Sequence, residues 1–216
     1  MRSLLGRRVF PREFFLGTFV FAFAFLAGGG CQRAETAATK SAAAPTPTPA
    51  PVGNTAVMET DKGTIEIQLL ASVAPKTVEN FRLLAQRGYY NGLTFHRIVK
   101  GFMLQGGDPL GDGRGGESAW GGTFADEIDR SSPLYQGGYK RGQVAMANSG
   151  PNTNTSQFFI MHQNYPLAPG YTIFGQVTKG IEVVDALANT PTKPGPGGEP
   201  STPIVPPKIL KVTIRP

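Results

Sequence analysis

Residues 54–216 read as a mainly β fold, a closed eight-stranded antiparallel β-barrel capped by two α-helices. Three observations predict it. Short β-rich runs recur along the segment, separated by glycine- and proline-containing turns. Only two stretches carry helical spacing. Roughly eight strands and two helices in about 160 residues fit one curled sheet with helices over its ends better than layered α/β units.

The elements follow in order. Ala56–Thr60 and Thr64–Leu69 form a hairpin around Asp61-Lys62-Gly63. Pro75 suits the first turn of a helix, Val78, Phe81, Leu83, Leu84 and Arg87 continue it, and Gly88 stops it. Phe95–Asp108, "FHRIVKGFMLQGGD", reads as strand, turn, strand, but neither parity is cleanly apolar: Phe95, Arg97 and Val99 alternate with His96, Ile98 and Lys100. Something besides core packing shapes this segment. Residues 106–122 hold eight glycines in 17 and form a loop, with neither the Lys-Ser/Thr nor the following helix of a phosphate cradle. Gly142–Asn148 and Ser156–His162 read as buried strands, with Phe158 and Ile160 in the core. Tyr171–Val177 is another strand, Gly180–Asn189 the second helix and Lys208–Ile214 the last strand.

The chain has 216 residues and a formal charge of +6. Residues 1–30 contain Arg2, Arg7, Arg8 and Arg12 against Glu13, a net +3, so the remainder is too mildly basic to point to nucleic acid. A lone cysteine, Cys31, excludes an internal disulfide framework, and with only His96 and His162 for histidines no metal site is expected. The apolar run Phe14–Ala27 is 14 residues long, short of the roughly 20 that a membrane-spanning helix needs. With its basic flank and Gly28–Gly30 it reads as an export signal over residues 1–30, and "GRRVFPR" resembles a twin-arginine motif. Cys31 stands where a bacterial lipoprotein signal places its lipidated cysteine. Ordinary cleavage and an uncleaved anchor are the alternatives. Residues 31–53 are dominated by Ala, Pro and Thr, cannot bury a core, and read as a disordered tether between a membrane and residues 54–216.

Three motifs in register, "FHRIVKGFMLQGGD", "GQVAMANSGPNTNTSQFFIMH" and "YTIFGQV", closely resemble the cyclophilin family of peptidyl-prolyl cis–trans isomerases. The resemblance covers about Ala56 to Ile214 and implies a barrel with its active groove on the outer surface. Rotation about an X-Pro amide crosses a barrier of about 18–20 kcal/mol without making or breaking a bond. It therefore needs no cofactor, only better binding of the twisted amide than of the planar one. The resemblance implies catalytic roles for Arg97, Phe102, Gln105 and Asn148. It implies substrate contacts for His96, Met103, Ala147, Phe159, Leu167 and Tyr171. Arg97 matches the family's catalytic arginine, Phe102, Met103, Phe159 and Leu167 its proline pocket, and Gln105 and Asn148 polar positions that hold the substrate backbone or Arg97. His162 reads as structural. Two positions depart from the pattern. Pro166 stands where cyclosporin-binding members often carry Trp, and Tyr171 where many have His; the single Trp120 lies in the glycine-rich loop.

The expected protein is an exported monomeric isomerase of the periplasm or cell envelope, acting on unfolded or exported proline-containing polypeptides. A proline-binding scaffold or holdase using the same groove is the alternative.

Overall fold

The computed structural model describes residues 54–216. The expected leader, the Ala/Pro/Thr-rich tether and Cys31 lie outside the described residues. The chain runs β1 (Thr55–Thr60), β2 (Gly63–Leu69), α1 (Pro75–Gln86), β3 (Arg97–Val99), β4 (Met103–Gly106), a short 3₁₀ turn (Pro133–Tyr135), β5 (Gln143–Met146) and β6 (Phe158–Met161). It continues through β7 (Ile173–Lys179), α2 (Ile181–Ala188), β8 (Thr192–Pro194), β9 (Pro200–Pro203) and β10 (Ile209–Arg215).

Eight strands form one antiparallel sheet in the order β10-β1-β2-β7-β5-β6-β4-β3. Among the described residues no ladder joins the end strands β3 and β10. The chain just before each is joined instead, by an isolated bridge between Thr94 and Lys208. Beside it, the Phe95 N–H donates to the Pro207 carbonyl and the Ile209 N–H to that of Leu93.

Strand parity divides the side chains between two apolar clusters. Ile65, Ile67, Ile98, Leu104, Val144, Phe158 and Ile160 point into the main core, which also takes Val78, Phe81 and Leu84 of α1 and Val183, Val184 and Leu187 of α2. Their neighbours Met103, Ala145, Phe159, Met161 and Ile173 point to the other face and pack on Tyr135 and Tyr139. Strands β4, β5 and β6 thus bury apolar side chains on both faces, and the end strand β3 turns Ile98 to the core and Arg97 and Val99 to the other side, so Phe95–Asp108 shows no simple alternation.

Helix α1 starts at Pro75 without a side-chain cap of its own. Its first free N–H groups find a distant carboxylate: Lys76 and Thr77 donate to Glu127 at 3.0 and 2.7 Å. Asn80, fully buried, donates to the Thr155 carbonyl and accepts from the Ala119 N–H, tying two loops to this helix. In the glycine-rich loop, the buried Asp108 carboxylate accepts from the N–H groups of Leu110, Asp112 and Gly113. Gly107, at φ +84°, lets the chain turn off β4; a Cβ there would come within 2.5 Å of the Ser156 carbonyl oxygen.

The β8–β9 hairpin is the element that the sequence does not announce. It forms a separate two-stranded sheet, with Thr192 opposite Pro203 and Lys193 opposite Thr202. Its prolines and lack of alternating apolar residues hide it.

Candidate active site

The groove is built from the outer face of β3, β4, β5 and β6. Arg97 lies opposite Gln105 and Val99 opposite Met103 in the β3–β4 ladder. Gln105 lies in turn opposite Phe159, and Phe159 opposite Ala145. Opposed residues of an antiparallel pair share a face, so Arg97, Met103, Gln105 and Phe159 come to one surface. The β3–β4 turn adds Phe102, the end of β5 adds Ala147 and Asn148, and the segment before β7 adds Leu167 and Tyr171. Together these nine residues line a cavity of about 340 Å³. A neighbouring depression of about 400 Å³ shares Gln105, Ala147 and Asn148 and continues across Gly113–Gly116.

The floor is apolar and rigid. Met103 and Phe159 are 2% and 5% exposed. The Phe159 and Tyr171 rings meet edge to face at 5.4 Å, and Phe102 lies against Tyr165 at 4.3 Å. Tyr139 fixes the Tyr171 wall: its hydroxyl donates to the Tyr171 carbonyl at 2.7 Å and accepts from the Tyr171 N–H at 3.0 Å. Burial pushes the Tyr139 phenol up, which keeps this donor protonated.

The polar residues have partners within the chain. Asn148 donates to the Gly170 carbonyl at 2.9 Å, bracing the loop before Tyr171. Gln105 donates to Gln157 at 2.8 Å, and Gln157 donates to the carbonyls of Gly113 and Gly115. Neither amide hydrogen-bonds Arg97. The Arg97 guanidinium meets Glu199 instead, at 2.6 Å. Gln157, Tyr139 and Glu199 are the residues that sequence reasoning missed. Gln157 sits inside the quoted "SQFF" motif, so its motif position was the available signal; Glu199 is 102 residues from Arg97 and offers none.

His96 is a correction. It does not line the cavity. It alternates with Arg97 on the strand, is 9% exposed, and faces Gly113 beneath the glycine-rich loop, with neither ring nitrogen hydrogen-bonded to protein. Pro166 is exposed and lies outside the cavity lining. Trp120 packs edge to face on Phe124 with Lys76 over its ring, also outside that lining.

The family model described as "Cyclophilin type peptidyl-prolyl cis-trans isomerase/CLD" matches residues 55–214. The chain belongs to the cyclophilin-type peptidyl-prolyl cis–trans isomerases. It is 48% identical over 159 residues to the Arabidopsis thaliana peptidyl-prolyl cis-trans isomerase CYP18-1, covering 73% of this chain and 94% of that one. It is 50% identical over 144 residues to the mouse peptidylprolyl isomerase domain and WD repeat-containing protein 1, but spans only 22% of that protein and 66% of its own length. A Cryptosporidium parvum cyclophilin-type isomerase, solved in the presence of the dipeptide Ala-Pro, superposes with a TM-score of 0.67 at 38% identity. That match covers 75% of this chain and 99% of the other. The enzyme class and the fold expected from the three motifs are those of these relatives.

In this cyclophilin the second histidine buttresses the groove. His162 Nδ1 accepts the Gly101 N–H at 2.9 Å, and its Nε2 lies 3.2 Å from Asp185. The His162 N–H donates to the Phe102 carbonyl at 2.8 Å, so the histidine grips the turn that carries Phe102. Burial pulls the His162 pKa below 6.5 and outweighs the Asp185 carboxylate; burial likewise lowers that of His96 against Asp108 and Asp112. The unfolded chain takes up these protons near the ordinary value, so stability from the two neutral rings is present above pH 6.5 and is lost as pH falls through it. Thermal melting between about pH 8 and pH 5 is expected to show Tm falling on the acid side; a flat profile would contradict the neutral burial of both rings.

Proposed function

We propose that this cyclophilin isomerises X-Pro bonds in the cavity around Arg97, and that it does so outside the cytoplasm on exported polypeptides while held to a membrane through Cys31. The observation that carries the catalytic part is a guanidinium on the wall of a cavity whose floor is apolar. The pyrrolidine ring fits against Phe102, Met103, Phe159 and Leu167, with Tyr171 as a side wall. As the amide twists, resonance is lost and the proline nitrogen regains its lone pair. Arg97 donates to that lone pair and so binds the twisted form better than either planar one. Ala147 is small where the substrate backbone crosses, and Gln105 and Asn148 present amides along its path. The Ala-Pro dipeptide of the Cryptosporidium enzyme supports a proline-containing ligand for this one.

The placement outside the cytoplasm rests on the sequence: the arginines ahead of Phe14–Ala27, the small residues before Cys31, and the Ala/Pro/Thr-rich stretch after it. Each buried acyl CH₂ contributes about 0.8 kcal/mol, and stable anchoring takes more than one chain. Cys31→Ser is therefore expected to move the protein from the membrane to the soluble fraction with X-Pro exchange unchanged. Intact mass of the unsubstituted protein purified from its host is expected to show acyl chains on Cys31. Native protein without acyl mass, or a variant that stays with the membrane, would remove the anchor from this reading.

A further inference from the structure

Among the described residues, the one hydrogen bond made by the Arg97 guanidinium is to Glu199, from Nη2 to Oε1 at 2.6 Å. Gln105, directly opposite Arg97, is occupied with Gln157. The carboxylate that holds the arginine thus comes from the tip of the β8–β9 hairpin, outside the eight-stranded sheet.

That tip is a built feature. The Gly195 N–H donates to the Glu199 carbonyl at 2.9 Å and the Gly198 N–H to that of Gly195 at 2.9 Å. Pro194, Pro196 and Pro200 restrict the backbone on either side. Ser201, 3% exposed, roots β9, which lies alongside β3 without joining its ladder. The hairpin base is closed by the Ile204 N–H donating to the Pro191 carbonyl. A long flexible pair on an open surface would spend much of its time apart. Here one member rides on a braced turn.

We propose that Glu199 is a positioning residue for Arg97. It engages one amino group of the fork and leaves Nε and Nη1 to be offered to the cavity that Arg97 lines. The proposal rests on the reading of Arg97 as the donor to the twisted amide. It makes the proline-rich hairpin part of the catalytic apparatus, although Glu199 does not line the cavity itself.

An exposed pair of this kind couples by an amount equivalent to about a two- to five-fold change in rate. X-Pro exchange measured by NMR on the full chain, with thermal melting as a folding check, decides the matter through a double-substitution cycle. Glu199→Gln is expected to lower kcat about two- to five-fold with little change in KM, and Glu199→Asp, one methylene shorter, to do the same. In an Arg97→Ala background, Glu199→Gln is expected to change nothing. An equal loss in both backgrounds would mean that the carboxylate acts on substrate directly, and would overturn the proposal. A gain in kcat on Glu199→Gln would show that the carboxylate sequesters the guanidinium, and would overturn it too. Unchanged kcat in Glu199→Gln beside a large loss in Arg97→Ala would discard Glu199 and keep Arg97. Near-normal exchange in Arg97→Ala would discard both.

Discussion

Arg97→Ala is expected to lower kcat/KM toward an X-Pro peptide by about 10²–10³, the usual consequence of removing one preorganised donor from a site of developing charge. Arg97→Lys should recover little, because the proposed role needs a planar fork that bonds Glu199 and the substrate at once, and an ammonium cannot reproduce it. Folding should be nearly untouched. The Arg97 side chain is 39% exposed and its carboxylate partner 48%, and such surface pairs contribute about 0–1 kcal/mol. Phe102→Ala is the contrast: it removes part of the proposed proline pocket in the ground state as well as in the transition state, so KM should rise along with the loss of turnover. The measurement is cis–trans exchange and thermal melting on the same sample. An intact Arg97→Ala fold with near-normal exchange would show that the donor lies elsewhere, and the scaffold reading of the groove would gain ground.

Phe81→Ala is expected to have the largest effect on stability, about 3–5 kcal/mol. Phe81 is 1% exposed and carries α1 onto the barrel. Its ring stacks on Tyr90 at 4.9 Å, meets Phe158 edge to face at 5.8 Å and lies 5.3 Å from Phe174. Truncation leaves a void bounded by three aromatic rings, Phe158 held by β6, Phe174 by β7 and Tyr90 by the turn after α1, that cannot readily collapse into it. At about 2–4 °C per kcal/mol for a domain of this size, Tm should fall by roughly 10 °C or more. The groove lies on the opposite face of the sheet, so kcat/KM measured well below the new Tm should stay near that of the parent. A loss under about 1 kcal/mol would mean that the site relaxes freely.

The two variants separate what the sequence made legible from what it did not. The eight strands of the barrel were readable because turn residues punctuate them, and α1 because Val78, Phe81 and Leu84 repeat at helical spacing. The cavity residues were readable only as a register of motifs; residue by residue, Met103 and Phe159 look like core, and they are indeed nearly buried. His96 shows the limit of that method. Adjacency to Arg97 in sequence means the opposite face in a strand, and the histidine went under the loop. The β8–β9 hairpin failed for another reason. Prolines at Pro194, Pro200 and Pro203 contradict every local strand preference, and what orders the segment is its packing along β3, a contact between distant parts of the chain.

The position of β1 has a consequence for the order of assembly. The first strand sits between β2 and β10, with Thr55 paired to both Gln68 and Arg215. One neighbour is available as soon as the hairpin has emerged; the other is the last strand of the domain. Until β10 arrives, β1 is a bare edge, able to template a wrong partner. The long-range β1–β10 ladder is slow to form because a large loop must close first. A chain that emerges from its N-terminus would therefore present an unfinished sheet until its last residues are free. Completion falls at the end, when the final strand docks beside the first.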